Sequence, residues 1–340
     1  MIRIFLIILT TNILNSCNSQ PSGNSKVDAN IINSVQSASQ KETQNGIVYF
    51  SYDDGANWIN SSNGLPEKIK IGLGGIATSN QILGVATKDN GVYIYNLKNK
   101  IWDSVPTEKQ IIEGNIGSLA IFDNIIFVGT QLKGIFCTTD KGKNWAAIND
   151  GITNLTIRRF CEFNKVLYVC TNDGFYSFNK ISRSWNLEYG QNSLQTNGAA
   201  FFNGRYYLAT NKGIYTQQAE KNWVNSSPQF SMHNISSDDT QLYAMTYNEL
   251  LLSSTDGKTW QSQQNGLPEL YTFNVLNHNN LVLAGQWDGI YKKTNSNTVW
   301  ELSSNGLPSK FAVTNLKTFN NILVISTSER KLKEGMTTEK

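Results

Sequence analysis

Apolar residues in this chain occur in short runs that polar turn residues interrupt. In the stretch that ends at Trp145, the runs Leu119–Phe122 and Ile125–Thr130 are separated only by Asp123-Asn124. Branched and aromatic residues in runs of this length favour β-strands, and an Asp-Asn pair tolerates the backbone of a two-residue hairpin turn. A third run follows Gly134 and a fourth lies around Trp145, so the stretch predicts four antiparallel strands.

The same pattern recurs along the chain, and each repeat carries one tryptophan. The recurring tryptophans are Trp58, Trp102, Trp145, Trp185, Trp223, Trp260 and Trp300. Their successive gaps are 44, 43, 40, 38, 37 and 40 residues. A period of roughly 40 residues with strand-like content is typical of a β-propeller, which has one four-stranded sheet per repeat. We therefore predict an all-β, seven-bladed β-propeller with four-stranded antiparallel blades over residues 46–328.

The two ends of the repeat region supply complementary halves of one repeat. The region begins with the last two strands of a repeat at Gly46–Trp58 and ends with the first two at Phe311–Thr327. Pairing of the two halves would complete the seventh blade and remove exposed sheet edges. We predict that the N-terminal and C-terminal strands close the ring in this way.

Three segments that end at these tryptophans resemble the Asp-box of bacterial neuraminidase repeats, S-x-D-x-G-x-T-W. Ser51–Trp58 reads SYDDGANW, and Thr138–Trp145 reads TTDKGKNW, with threonine for the first serine. Ser253–Trp260 reads SSTDGKTW, in which Thr255 takes the place of the aspartate. The chain therefore resembles the Asp-box β-propellers, which include sialidases, sortilin-type receptors and photosystem II assembly factors.

The resemblance implies a structural role for the box residues. We expect the aspartates to accept hydrogen bonds from turn amides, the glycines to supply the turn backbone and the tryptophans to pack between blades. The residues with these expected roles are Asp53, Gly55, Trp58, Asp140, Gly142, Trp145, Gly257 and Trp260. Sialidases of the family bind substrate with three arginines and carry an Arg-Ile-Pro segment. This chain has only six arginines, one of which lies in the predicted signal peptide, and it has no Arg-Ile-Pro segment. We therefore expect no sialidase activity and assign no catalytic residues.

The N-terminal flank predicts export and lipidation. Residues 1–17 have the positive start and short apolar stretch of a signal peptide. Leu14-Asn15-Ser16-Cys17 resembles a bacterial lipobox, which implies lipidation of Cys17 and a membrane anchor; an ordinary secretory signal is the alternative. Residues 18–45, rich in Ser, Asn and Gln, predict a flexible tether, and residues 329–340 a disordered tail. We expect an anchor in the outer membrane that faces the periplasm.

Composition excludes several classes of partner. The net charge is only +3 over 340 residues, and no basic run with interleaved aromatic residues predicts nucleic-acid binding. His233 and His278 lie in different repeats, and the cysteines lack metal-ligand spacing, so we expect no metal and no cofactor. Cys137, Cys161 and Cys170 are predicted to be buried free thiols, and the protein a monomer.

The loops between second and third strands hold the candidate binding residues. Trp287 occupies such a loop where other repeats have smaller or polar residues, and Tyr247 occupies the matching loop of the preceding repeat. Adjacent blades would bring both aromatic residues to one sector of the rim, together with Asp288. Arg158 and Arg159 lie near the start of a first strand and would favour an anionic ligand. The alternatives are that the aromatic residues cap their own blades and that the charges are merely solvated.

These features favour a lipid-anchored, non-catalytic propeller that binds or assembles an envelope protein. The alternative is a glycan-binding or glycoside-hydrolase-type propeller. Hydrolysis would need two carboxylates that face one cleft, and the candidates in equivalent loops are Asp89, Asp173 and Asp288.

Overall fold

β-Strands make up nearly all of the regular structure in the described chain. The computed structural model describes residues 46–79, 81–219, 222–227 and 230–328. The predicted signal peptide, Cys17, the tether and the tail lie outside the described residues. The one helix of the described residues is α1 (Lys109–Ile112), and none there is long and apolar enough to cross a membrane.

In chain order the strands are β1 (Val48–Ser51), β2 (Ile59–Asn60), β3 (Ile71–Thr78), β4 (Leu83–Thr87), β5 (Gly91–Asn96), β6 (Ile101–Val105), β7 (Ile116–Phe122), β8 (Ile125–Thr130), β9 (Ile135–Thr138), β10 (Ala146–Ala147), β11 (Ile157–Phe163), β12 (Val166–Thr171), β13 (Gly174–Asn179), β14 (Ser184–Gly190), β15 (Thr196–Phe202), β16 (Arg205–Thr210), β17 (Gly213–Ala219), β18 (Asn222–Ser227), β19 (Met232–Ser237), β20 (Leu242–Thr246), β21 (Leu251–Ser254), β22 (Gln261–Ser262), β23 (Thr272–His278), β24 (Leu281–Gln286), β25 (Ile290–Thr294), β26 (Glu301–Leu302), β27 (Asn315–Phe319) and β28 (Ile322–Ser326).

The strands form sheets of four antiparallel neighbours. Four separate sheets are β11–β14, β15–β18, β19–β22 and β23–β26, and a fifth has the order β2-β1-β28-β27. The remaining eight strands form one sheet whose halves, β3–β6 and β7–β10, are each antiparallel. A single parallel pair, Gly74 with Ser118, joins these halves. The prediction of an all-β propeller with four-stranded antiparallel blades is confirmed.

The first strand of each four-stranded group lies beside the first strand of the next group. The contacts run in the order β3, β7, β11, β15, β19, β23 and β27, and β27 in turn contacts β3. The predicted closing pair is also present, since β1 pairs with β28 from Val48 opposite Ser326 to Ser51 opposite Leu323. The first and last strands of the described region are therefore joined by backbone hydrogen bonds within one sheet.

Five of the recurring tryptophans donate an indole hydrogen bond to the segment that follows the tryptophan of the preceding four-stranded group: Trp58, Trp102, Trp145, Trp185 and Trp300. The indole Nε1 atoms of Trp223 and Trp260 are buried and have no partner among the described residues. The Trp58 amide donates to the Asn305 carbonyl at 2.9 Å, and its indole Nε1 donates to the Ser303 carbonyl at 2.7 Å. Trp102 and Trp300 repeat the amide bond with the carbonyls of Asn63 and Asn265. All three acceptor asparagines begin an NGLP sequence. We call this arrangement the tryptophan latch, and it explains why NGLP and tryptophan recur together.

The Asp-box residues make the local hydrogen bonds that the resemblance implies. Asp53 Oδ1 accepts from the Asn57 amide at 2.9 Å, and the Gly55 amide donates to Ser51 Oγ at 2.8 Å. Asp140 accepts in the same way from the Asn144 amide. These bonds lower the pKa of Asp140 to about 2 because they stabilise its charged form.

The third Asp-box is shifted by one residue from the predicted alignment. Asp256 takes the place of the missing aspartate and accepts from the Lys258 and Thr259 amides at 2.8 and 2.7 Å. Ser254 Oγ accepts from the Gly257 amide at 2.8 Å. The serine and glycine are three residues apart here and four residues apart in the first Asp-box, but the same amide-to-hydroxyl bond forms in both turns. Trp58 is buried as expected, whereas Trp145 and Trp260 are only half-buried.

Candidate binding surface

Five ring side chains form a continuous cluster on the face that carries the loops between second and third strands. Neighbouring ring centroids are 5.5 Å apart for Tyr247 and His233, 4.1 Å for His233 and Tyr271, 4.9 Å for Tyr271 and Phe273, and 4.9 Å for Phe273 and Trp287. We call this cluster the aromatic surface. It extends over two adjacent sheets, β19–β22 and β23–β26.

Strand ends and β-bulges position these side chains. Tyr247 directly follows β20, and Trp287 directly follows β24. The pairing of β19 with β20 shifts register between Met232 and Asn234, and that of β23 with β24 shifts between Thr272 and Asn274. His233 and Phe273 are the extra residues at these bulges. A bulge re-aims side chains locally, so both rings join the cluster.

Exposure divides the aromatic surface into a buried base and two exposed rings. His233 and Phe273 are both buried. Tyr247 is 46% exposed and Trp287 is 49% exposed, and Tyr271 is half-buried between them. Exposed rings held on a rigid apolar base are typical of binding hot spots. Tyr271 contacts the exposed ring of Tyr247 and the buried ring of Phe273, which in turn contacts Trp287.

His233 is a neutral member of the aromatic surface. Burial lowers its pKa to about 3, and the nearby positive charge of Arg159 lowers it further in the same direction. Its Nε2 atom is buried and has no hydrogen-bond partner among the described residues. The ring therefore stacks on Tyr271 without a charge at neutral pH.

The two candidate arginines lie at the bulge of β11 but point to different surroundings. Arg158 Nε donates to Asn172 Oδ1 at 2.6 Å, beside the loop between β12 and β13. Arg159 pairs across the sheet with Cys170 and lines the central cavity. Its Nε atom is buried and has no partner among the described residues, and burial lowers the pKa of its guanidinium.

The candidate carboxylates are each engaged within their own sheet. Asp288 Oδ2 accepts from Tyr291 Oη at 2.9 Å. Asp173 Oδ1 accepts from Thr171 Oγ1 at 2.6 Å and from Tyr176 Oη at 3.2 Å. Asp89 Oδ1 accepts from the side chain of its neighbour Asn90 at 2.8 Å. Asp288 thus lies next to Trp287, and its one bonded oxygen holds the loop rather than facing a partner carboxylate.

Residues of the first strands β11, β15, β19, β23 and β27 line a central cavity of about 800 Å³. A belt of asparagines connects neighbouring first strands by hydrogen bonds, and two of its members, Asn234 and Asn274, also line the cavity. The Nδ2 atoms of Asn197, Asn234, Asn274 and Asn315 donate to carbonyls of the next first strand, at 2.7, 3.0, 2.7 and 3.0 Å. Sequence reasoning missed this belt, although three of its members occupy the same position in the aligned repeats.

Cys161 departs from the prediction of a buried thiol. It is half-buried and lines the central cavity, whereas Cys137 and Cys170 are buried, and all three are free. A hydrogen bond with the Cys170 thiol lowers the pKa of Cys161, against the effect of burial, and the charge of Arg159 lowers it further. Within the described ranges, no group of three or more His, Cys, Asp or Glu side chains could hold a metal ion.

Comparison with solved structures identifies the same fold in proteins of distant sequence. YCF48 bound to D1 peptide has a TM-score of 0.59 at 13% identity, over 80% of this chain and 96% of its own. YCF48 from Cyanidioschyzon merolae has a TM-score of 0.58 at 12% identity, over 77% and 96%.

A third similar structure is an inactive virginiamycin B lyase from Staphylococcus aureus with quinupristin. It has a TM-score of 0.59 at 11% identity, over 76% of this chain and 94% of its own. No protein-family model and no curated protein sequence matches this chain. At these identities the likeness shows the β-propeller fold alone.

Proposed function

We propose that this protein is a non-catalytic β-propeller that binds or assembles a protein partner through the aromatic surface. The observation that carries the proposal is the pair of exposed rings, Tyr247 and Trp287, held on the buried rings of His233 and Phe273. Large rigid rings bury much area on binding at little cost in conformational entropy, which suits a protein interface. The solved complex of the similarly folded YCF48 with a D1 peptide supports this use of the fold.

Two further properties belong to the proposal. We infer that the eight-stranded sheet represents two blades, which gives a seven-bladed ring; the unbroken series of first-strand contacts supports this count. We also propose that Cys17 carries the lipid anchor that holds the propeller in the cell envelope, at the outer membrane and facing the periplasm. The lipobox-like Leu14–Cys17 segment supports this location.

Binding of a protein partner through the aromatic surface is tested with a double variant of its two exposed rings. Full-length protein carrying Trp287→Ala and Tyr247→Ala should lose a partner that the wild-type protein captures from solubilised envelopes, because both exposed rings are removed. Affinity for the purified partner should fall by roughly 1,000-fold, since each such ring contributes about 2 kcal/mol at an interface and about 1.4 kcal/mol corresponds to tenfold in affinity. The measurement is calorimetry on wild-type and variant protein of equal melting temperature.

Leu132→Ala is the matched control for this experiment. Leu132 lies in the equivalent loop of another sheet and is 67% exposed, so its removal tests loop-face hydrophobicity in general. A partner lost equally by both variants would contradict a specific aromatic surface. Binding to a glycan array that the double variant abolishes would instead favour the carbohydrate-binding alternative, because exposed rings also stack on sugars.

The anchor is tested by substitution of its acceptor. Cys17→Ala should abolish incorporation of radiolabelled palmitate in the parent organism, since the thiol that accepts lipid is gone. Cys137→Ala, which removes a buried thiol of the propeller, should leave labelling unchanged. Palmitate labelling that persists in the Cys17 variant would refute the proposed anchor.

A further inference from the structure

Two positively charged side chains enter the central cavity from opposite parts of the ring. Arg159 belongs to β11 and Lys317 to β27, and both line the cavity. Along the series of first-strand contacts, β3 and β7 separate the two strands on one side and β15, β19 and β23 separate them on the other. The two side chains therefore flank the space around the axis of the ring.

The described residues do not neutralise this pair of cations. Arg159 Nε is buried without a hydrogen-bond partner, and no described carboxylate lies within salt-bridge distance of either cation. Lys317 is an exposed residue at the wall of the cavity. Loss of water around its ammonium group and, as the smaller cause, the positive charge of Arg159 both lower its pKa. Like charges in a partly dehydrated space repel each other, and an anion between them relieves the repulsion.

A hydroxyl group of the same cavity is also unpaired. Ser236 Oγ is buried and has no partner among the described residues, and Ser236 lines the cavity. Asn234 in β19 and Asn315 in β27 occupy equivalent positions in their sheets. Ser236 and Lys317 each lie two residues further along, so they too are equivalent. Ser236 therefore offers a further donor at the level of Lys317.

The acidic groups of the cavity do not pair with either cation. Glu162 directly follows Cys161 in β11, about 10 Å along the strand from Arg159, and the charges that act on its carboxyl are those of Asp123 and Lys180. Asp238 and Asp239 belong to the turn after β19, where Asp238 accepts from the Thr240 and Gln241 amides at 2.7 and 2.9 Å. Cys161 is the other titratable group at the level of Lys317, and its thiolate would offset the positive charge only in part.

We propose that the central cavity binds a small oxyanion, of the carboxylate, sulfate or phosphate class, between Arg159 and Lys317. The guanidinium and ammonium groups supply charge from two sides, and Ser236 Oγ supplies a neutral donor. Oxyanions match this set because several oxygen acceptors can take these donors at once. Arg159 lies close enough to the aromatic surface to affect the pKa of His233. The donors of the anion site are nevertheless not members of that surface, so the site does not depend on the proposed partner.

The test is calorimetric titration of the full chain in detergent with sodium sulfate and, separately, sodium acetate, at constant ionic strength in chloride. Saturable binding of sulfate identifies a tetrahedral oxyanion site, and binding of acetate a carboxylate site. The dissociation constant should rise roughly tenfold or more in Arg159→Gln and in Lys317→Gln, because each loses a charge-assisted hydrogen bond. Lys68→Gln, which removes an exposed cation outside the cavity, should bind as the wild-type protein does.

Two results would overturn the site. One is the absence of saturable heat with both anions, and the other is an equal loss of binding in the Lys68 variant. A second measurement is independent of ligand choice. In chloride alone, Lys317→Gln should melt at the same temperature as the wild-type protein or higher, because the repulsion from Arg159 is removed. A lower melting temperature would mean that Lys317 is already paired and would count against the proposal.

Discussion

Deletion of Gly46–Trp58 should leave a chain that no longer forms a stable monomeric propeller. The deletion removes β1, which joins β2 to β28, and with it the buried side chains of Ile47, Val48, Tyr49, Phe50 and Trp58. Each such side chain contributes roughly 1.5–3 kcal/mol by burial, so their sum is comparable with the whole stability of a typical domain, about 5–15 kcal/mol. The deletion would also expose an unpaired edge at β28, which is a template for aggregation.

The measurement is thermal unfolding combined with size-exclusion chromatography. A deletion of equal length within residues 18–45 is the control, since that stretch is predicted from its composition to lie outside the folded propeller. We expect the control to melt as the wild-type protein does and the Gly46–Trp58 deletion to aggregate or lose its cooperative transition. A monomer with an unchanged melting temperature would show that the ring does not need this strand.

The second large effect is expected from Gly306→Ala in the tryptophan latch. Gly306 has a φ of +87°, and an added Cβ would collide with the carbonyl oxygen of Trp58. Alanine costs about 1–2 kcal/mol in this backbone conformation. Relief of the collision would also separate the latch, in which Trp58 bonds to Ser303 and Asn305. We expect a total loss of roughly 3–5 kcal/mol, because the buried indole then packs less well.

Gly204→Ala is the control that measures the cost of alanine at a positive φ without the steric collision that occurs at Gly306. Gly204 has a similar φ of +75°, but no atom lies within 4 Å of an added Cβ there. This variant should lose only the conformational part, about 1–2 kcal/mol. Chemical denaturation of both variants gives the comparison. If both lose the same stability, the close approach of Gly306 to Trp58 contributes nothing.

The tryptophan latch also gives the closed ring a physical basis beyond strand pairing. The latch at Trp58 bonds the segment after β26 to the sheet that contains the first and last strands, β1 and β28. The sheet of β1, β2, β27 and β28 is thus held by hydrogen bonds within itself and by the latch from its neighbour. A break at the closing sheet is therefore expected to affect the adjacent sheet as well.

Several details of the fold depended on local geometry that the repeat pattern does not contain. The third Asp-box uses Asp256 rather than the position of Thr255, because a hydroxyl one residue later in the chain preserves the same turn bonds. Cys161 reaches the central cavity although its strand predicts a buried thiol. Both differences arise because a change of one residue in turn or register alters where a side chain points.

The repeat, most of the strands and the pairing of the first with the last strand were all predictable from the sequence. These properties follow from local preferences: branched and aromatic runs form strands, Asp and Asn form turns, and the tryptophan period sets the repeat length. Trp287 and Tyr247 were also identifiable, because unusual residues stand out when repeats are aligned. Only the tertiary structure brought His233, Tyr271 and Phe273 between them, and only the closed ring set Arg159 opposite Lys317. β-Bulges and ring closure decide which side chains from different sheets meet. The residue pattern of a single repeat contains no information about contacts between different sheets.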